Sequence, residues 1–335
     1  MSAPDEAAGR PELVCPAGTP AALRAAVEAG ADVVYLGFRD QTNARNFPGL
    51  NFSREELAAG LEHAHGRGAK VYLAVNTYPE AGAPEPWRRA VDDGAALGVD
   101  ALILADIGLI DYAAKRHPDV RRHLSVQASA ASAEAIGVFH DAFGISRVVL
   151  PRVLTVEEIA RINQAVPVET EVFAFGGMCP MAEGRCLLSS YVTGESPNRN
   201  GACSPAAHVR YEERGADLVS RLGAFTINRF APGEPAGYPT LCKGRFVADG
   251  EPGYLFEEPT SLSTIEVLPE LIAAGIAGLK IEGRQRGKAY VAAVVKAYRE
   301  ALDACLAGKT PELGALRRIA EGQRDTQGAY RRDWR

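Results

Sequence analysis

The 335-residue chain lacks most features that announce a chemistry. No stretch approaches 18 uninterrupted apolar residues, so no transmembrane helix is expected. Its opening, MSAPDEAAGRPE, has neither a basic start nor an apolar run, so no secretory signal is expected and the expected location is cytoplasmic. Only six cysteines occur, and in that compartment disulfides are rare. No long run of Lys and Arg appears and the net charge is −5, which argues against a grip on nucleic acid made mainly through phosphates. No G-x-G-x-x-G follows the first strand, and there is no P-loop and no G-x-S-x-G elbow. The six histidines include no H-E-x-x-H, and His63 and His65 point to different sides of an expected helix, as surface residues do.

What is present is a rhythm of short Val-, Ile- and Leu-rich runs alternating with helical patterns. The runs are ELVCPAG, ADVVYLGF, AKVYLAVNT, VDALILAD, RHLSVQAS, ISRVVLPR, VETEVFAFG and, much later, IAGLKIEGR. Helix signals lie between them. Thr19 before Pro20 reads as an N-cap, and Ser53 and Glu56 have capping-box spacing. Eight such units fit a closed (β/α)8 TIM-like barrel of the α/β class better than an open sheet. The reading divides the chain into a flexible tail (1–10), seven βα units (11–175), a cysteine-bearing insertion after the seventh strand (176–260), a last βα unit (261–308) and a C-terminal segment (309–335).

Such barrels build their sites at the C-terminal ends of the strands. Polar residues gather there: Asn43, Arg45 and Asn46 after the second strand, Asn76 after the third and Asp106 after the fourth. Gln127 and Ser129 follow the fifth, Arg152 the sixth, and Glu282 and Arg284 the eighth.

Cys179, Cys186, Cys203 and Cys242 form the pattern C-x6-C-x16-C-x38-C in glycine- and proline-rich surroundings, GGMCPMAEGRC, NRNGACSPA and GYPTLCKGR. Small neighbours let backbone N–H groups approach a thiolate. Four thiolates suit a tetrahedral zinc or an iron–sulfur cluster, and spacing alone leaves both open. Cys15 and Cys305 sit in a strand and a helix pattern and read as ordinary buried thiols.

Taken together, ELVCPAG, TNARNFPGLNFS, ALILAD, SVQAS, VVLPR, EVFAFG, CPMAEGRCLLSSYVTGESPN, GACSPA, GYPTLCKGR, EEPTSL and LKIEGRQR resemble the collagenase-like peptidase family. The resemblance is to its O2-independent ubiquinone-biosynthesis hydroxylases, over about residues 12–305, and the ending GAYRRDWR is similar too. It implies a [4Fe–4S] cluster held by Cys179, Cys186, Cys203 and Cys242, a heterodimer with a sister subunit, UbiV, and a lipid-carrier-like accessory protein, UbiT. It also implies hydroxylation of the ubiquinone precursor ring with prephenate as oxygen donor. Other branches of the family hydroxylate RNA bases, and a peptidase motif is absent. Prephenate is a dicarboxylate, so Arg45, Arg152 and Arg284 are the candidates to bind it. Asn43, Asn76 and Gln127 are candidates to orient donor or ring, and Asp106 and Glu282 are the candidate catalytic carboxylates. The alternatives are RNA base hydroxylation and a non-catalytic, zinc-stabilised binding subunit.

Overall fold

The computed structural model describes residues 9–312, 314, 316, 320 and 324–331. The expected tail at 1–10 lies outside them apart from Gly9 and Arg10, as do the last four residues of GAYRRDWR.

Strands β1 (Glu12–Pro16), β2 (Val33–Leu36), β3 (Lys70–Val75), β4 (Ala101–Leu104), β5 (Arg121–Leu124), β6 (Arg147–Val149) and β7 (Glu169–Gly177) pair in parallel, each with the next. The strand Gly278–Ile281, β14 in chain order, pairs in parallel with both β1 and β7 and closes the ring. The chain is therefore an eight-stranded parallel barrel, the TIM-like architecture expected from the eight apolar runs.

Helices make the crossovers between the first seven strands, and several of their starts are written in the sequence. Thr19 accepts a hydrogen bond from the Ala22 N–H at the head of α1 (Pro20–Glu28). Ser53 and Glu56 close a capping box on α2 (Arg54–His65), and Thr155 and Glu158 do the same for α6 (Val156–Ala165). Between these lie α3 (Glu85–Leu97), α4 (Ile107–Arg116) and α5 (Ala133–Phe143), and α10 (Lys288–Leu306) follows the last barrel strand.

Strand side chains alternate between two environments. One set, including Leu13, Cys15, Val34, Leu36, Val71 and Leu73, packs outward against the helices. The other forms a separate buried cluster of Val14, Val33, Tyr35, Tyr72, Ala74, Ala101 and Ile103, which fills the inside of the first four strands. The remaining strands place charge inside. Arg147 on β6 donates to Glu12 at 2.8 Å, Glu169 at 2.7 Å and Glu171 at 3.2 Å. Lys280 on β14 donates to Glu171 at 2.7 Å. His123 on β5 stacks edge-on against Tyr72 at 4.6 Å. Burial and the surrounding cations hold its imidazole well below the usual histidine range, so it is neutral.

The segment after β7 carries α7 (Leu188–Thr193), the short α8 (Pro197–Asn200), an antiparallel sheet of β8 (Val209–Arg214), β9 (Asp217–Leu222) and β10 (Phe225–Phe230), and the hairpin β11 (Arg245–Ala248) with β12 (Glu251–Tyr254). Two further strands were not expected. β13 (Ser261–Ser263) returns antiparallel beside β7, and β15 (Asp325–Thr326) pairs with β13. A helix, α9 (Leu268–Ala273), leads into β14. No helix among the described residues is long and apolar enough to cross a membrane.

Candidate functional site

A cavity of about 590 Å³, counting its open mouth, sits at the C-terminal end of the barrel. Of the residues expected at this face, Arg45, Asn76, Gln127, Arg152, Glu282 and Arg284 line it. Tyr35, Phe173, Glu183 and Lys280 also line it and were not singled out from the sequence.

Glu282 is the electrostatic centre. One carboxylate oxygen pairs with Arg45 and the other with Arg152, whose second terminal nitrogen pairs with Glu183. Burial alone would raise the Glu282 carboxyl, but the two guanidinium groups outweigh it and hold it down at about 2. A carboxylate ionised throughout the physiological range is a fixed counter-ion and a poor proton acceptor. The expectation of an acid or base at Glu282 is corrected accordingly: its geometry is that of a clamp holding two arginines in place.

Arg45 reaches the clamp from a strained backbone, with φ +88°. Its N–H donates to the Gly201 carbonyl at 2.7 Å, and Asn51 Nδ2 donates to its carbonyl at 3.0 Å. Asn76 accepts from the Ala44 N–H at 2.9 Å and donates to Ser125 Oγ at 3.1 Å, so it braces the loop that carries Arg45.

Arg284 is differently placed. It is buried, 3% exposed, and no carboxylate among the described residues lies within ion-pairing distance. Its Nη1 donates to Asn43 Oδ1 at 3.0 Å, and its guanidinium lies 5.8 Å from the centre of the Tyr35 ring. Asn43, fully buried, does not line the cavity; it also donates to the Phe38 carbonyl and so positions Arg284 from behind. Burial pulls the Arg284 guanidinium down to about 10, whereas its neighbours Arg45 and Arg152 are pushed up by Glu282. Glu282 acts on Arg284 only at longer range, so among the described residues Arg284 has no ion-pair partner and keeps donors for an incoming anion. Lys280 also faces the cavity, 3.9 Å from the Tyr35 ring, but Glu171 already neutralises it.

Asp106 is not brought to the cavity. Its carboxylate accepts from the Leu109 N–H at 2.9 Å and caps α4. Asp106→Ala is expected to cost about 1 kcal/mol of stability, as lost helix caps do, and to leave ligand affinity unchanged. Urea unfolding and calorimetric titration of the same variant check both halves.

The insertion forms the roof. Glu183 and Gly184 are pressed onto the loop after β5: Ser129 Oγ bonds the Glu183 carbonyl, and a Cβ at Gly184, where φ is +87°, would collide with the Gln127 carbonyl. Gly201 abuts the Asn43 carbonyl, which a Cβ would meet at 2.8 Å. These two glycines let the cysteine-bearing chain lie against the barrel mouth.

All four insertion cysteines are free thiols. Cys203 lies within electrostatic range of Cys179, Cys186 and Cys242, and of Arg45, Arg152 and Glu282. The donor set, four unpaired thiols of which Cys203 is exposed, has the chemistry of a thiolate-ligated group. Among the described residues no three His, Cys, Asp or Glu side chains are grouped tightly enough for a single metal ion.

The peptidase U32 family profile matches residues 18–334. The tRNA hydroxylation protein P of Escherichia coli (strain K12) is 34% identical over 319 residues, covering 90% of this chain and 69% of that protein. The tRNA hydroxylation protein P1 of Bacillus subtilis (strain 168) is 33% identical over 300 residues, covering 88% of this chain and 64% of its own length. The 23S rRNA 5-hydroxycytidine C2501 synthase of E. coli is 31% identical over 317 residues, with 94% of this chain and 42% of that protein covered. Among solved structures, a U32 peptidase superposes with a TM-score of 0.43 at 20% identity, over 53% of this chain and 74% of that one.

Proposed function

The chain belongs to the peptidase U32 family, and from that premise we propose that it is the UbiU-type iron–sulfur subunit of an O2-independent hydroxylase acting on the ubiquinone precursor ring. The observation that carries this reading is the set of four free thiols in the insertion that packs on the barrel mouth, beside a cavity whose buried Arg284 has no ion-pair partner among the described residues. Relatives named for tRNA and rRNA hydroxylation support the reaction class.

In this reading Arg284 binds a carboxylate of prephenate, the oxygen donor, with Asn43 fixing its guanidinium plane. Tyr35 and Phe173 line the same cavity and add apolar wall beside the ligand, each carrying a cation on one ring face. The Arg45–Glu282–Arg152 clamp keeps the mouth in one shape, so a bound ligand does not have to order it. Cys179, Cys186, Cys203 and Cys242 would hold a [4Fe–4S] cluster, which when bound supplies one-electron chemistry. UbiV is the proposed heterodimer partner, and UbiT the proposed carrier of the lipid-like acceptor.

The test is anaerobic co-expression with UbiV. Iron and sulfide are counted per chain, and the ring product is analysed after supply of prephenate labelled with heavy oxygen at its hydroxyl. Label in the product is the expected outcome. Zinc without iron, or a product formed only in air, would overturn the proposal. RNA base hydroxylation is the second reading, favoured by the names of the E. coli and B. subtilis relatives. Mass spectrometry of tRNA and rRNA nucleosides from a deletion strain separates the two: a missing hydroxylated nucleoside supports RNA, an accumulated quinone precursor supports the ring.

A further inference from the structure

Lys280 is a buried amine to which the proposed function gives no role. It stands on β14 inside the barrel, its side chain 7% exposed, and it lines the cavity. Its Nζ donates to Glu171 at 2.7 Å and has no second acceptor among the described residues. An ammonium carries three N–H donors, so two are left over beside the Tyr35 ring, whose centre is 3.9 Å away.

As a cation Lys280 has no further anion to hold, since Glu171 already neutralises it. A buried ion pair carries a desolvation cost that an apolar pair in the same barrel wall would not. As an amine its setting is favourable. Burial, and then the guanidinium groups of Arg147 and Arg284, lower its affinity for a proton against the pull of Glu171. Desolvation and a neighbouring cation are the two conditions that activate a lysine as a nucleophile.

The neighbourhood selects the electrophile. Arg284 lies 5.8 Å from the centre of the same Tyr35 ring and has no ion-pair partner among the described residues. A carboxylate held by Arg284 and a carbonyl carbon at Lys280 have to be close together in one molecule, and in a 2-oxo acid they are directly bonded. The Tyr35 hydroxyl is already committed, donating to the Ile281 carbonyl at 2.9 Å, so proton transfer falls to Glu171.

We propose that Lys280 condenses with 2-oxo acids, forming an iminium linkage in the cavity while Arg284 holds the carboxylate. This goes beyond the proposed function, which asks nothing of Lys280 and contains no covalent step. The ammonium passes one proton to Glu171 Oε1. The free amine adds to the keto carbon, so that a C–N bond forms as the C=O opens, and a proton moves from nitrogen to that oxygen. Glu171 returns its proton to the new hydroxyl, which leaves as water while the nitrogen lone pair closes the C=N bond. Nothing is oxidised or reduced, and Glu171 ends as it began.

The test traps the linkage. The full chain is incubated with phenylpyruvate and sodium cyanoborohydride, which reduces an iminium to a stable amine, and the labelled peptide is identified by mass spectrometry. The expected outcome is one adduct per chain, on Lys280, with labelling that saturates as phenylpyruvate rises. Lys280→Arg keeps a cation for Glu171 and is expected to take no label there. 3-Phenyllactate, which lacks the keto carbon, is expected to protect Lys280 without reacting. 1-Phenylpropan-2-one lacks the carboxylate and is expected to need at least about tenfold more for the same labelling, as is phenylpyruvate with Arg284→Met. No adduct on Lys280 of the native chain, or label spread over exposed lysines with Lys280 unmodified, would overturn the proposal. Equal labelling by the acid and the ketone would overturn the part given to Arg284. The native chain decides the main point by itself, so a variant that fails to fold does not leave it open. The assay needs neither cluster nor partner, so the iron and labelled-oxygen measurements stand or fall separately.

Discussion

Glu171→Ala is expected to destabilise the protein by about 3–5 kcal/mol, the cost of breaking a buried ion pair by removing one partner. Glu171 sits inside the barrel on β7 at 1% side-chain exposure, between Lys280 at 2.7 Å and Arg147 at 3.2 Å. Arg147 retains Glu12 and Glu169 when Glu171 is removed. Lys280 retains no carboxylate among the described residues, and it sits in a cavity wall where burial already lowers its affinity for a proton. The loss is therefore concentrated on one uncompensated ammonium. Replacing both partners, Glu171→Leu with Lys280→Met, removes the charge together with its desolvation penalty and is expected to recover most of the loss. Urea unfolding of the two variants beside the native chain measures this. A single-variant loss below about 1 kcal/mol would mean that water reaches the pair and that the charged half of the interior is not the dry network described.

That network marks the boundary of what could be read from the sequence. The eight barrel strands were legible because strands buried on both faces become continuous apolar runs, and the helix starts because Thr19, Ser53 and Thr155 carry caps. Arg147, Glu171, Lys280 and His123 interrupt such runs. A charged residue in a strand reads as an exposed position, and only closure of the barrel brings the four together inside. Asp106 shows the reverse error. It stands directly before IGLIDYAAKR and so carried a cap signal, which was outweighed by its place at a strand end.

The candidate site was legible as a set and not in its partnerships. Strand-end position located Arg45, Arg152 and Arg284, but could not say that two share Glu282 and that the third has no ion-pair partner among the described residues. Glu183 had no signal, because it reaches the cavity from an irregular loop whose course depends on Gly184 meeting the Gln127 carbonyl. β13 and β15, three and two residues long, are set by their neighbours and lack a periodicity of their own.

Cys242→Ser, purified anaerobically, is expected to lose most of its iron and sulfide, and ring hydroxylation with them, while the barrel keeps its fold. The separation is possible because the backbone around Cys242 is anchored independently of the thiol. The Cys242 carbonyl accepts from the Glu257 N–H at 3.2 Å. Lys243 Nζ donates to the Thr260 carbonyl at 3.3 Å, and Asn228 Nδ2 to the Lys243 carbonyl at 3.3 Å. Serine keeps the shape and all of these bonds and removes only the thiolate, the soft ligand that iron–sulfur clusters require. Burial pushes the free Cys242 thiol up to about 12, so without a bound group it carries a proton at neutral pH. Ligation has to displace that proton, and loading of the native chain is expected to improve as pH rises from 6 to 8. Cys305→Ser, in α10 and outside the insertion, is the matched control and is expected to retain the full complement. Iron and sulfide counts, the visible spectrum and far-ultraviolet circular dichroism on the three proteins distinguish ligand loss from unfolding. If Cys242→Ser held as much iron and sulfide as the native chain, Cys242 would not be a ligand and the four-thiol roof would not be the cluster site. If Cys305→Ser lost iron equally, the loss would report general instability, and the assignment would fail on that ground.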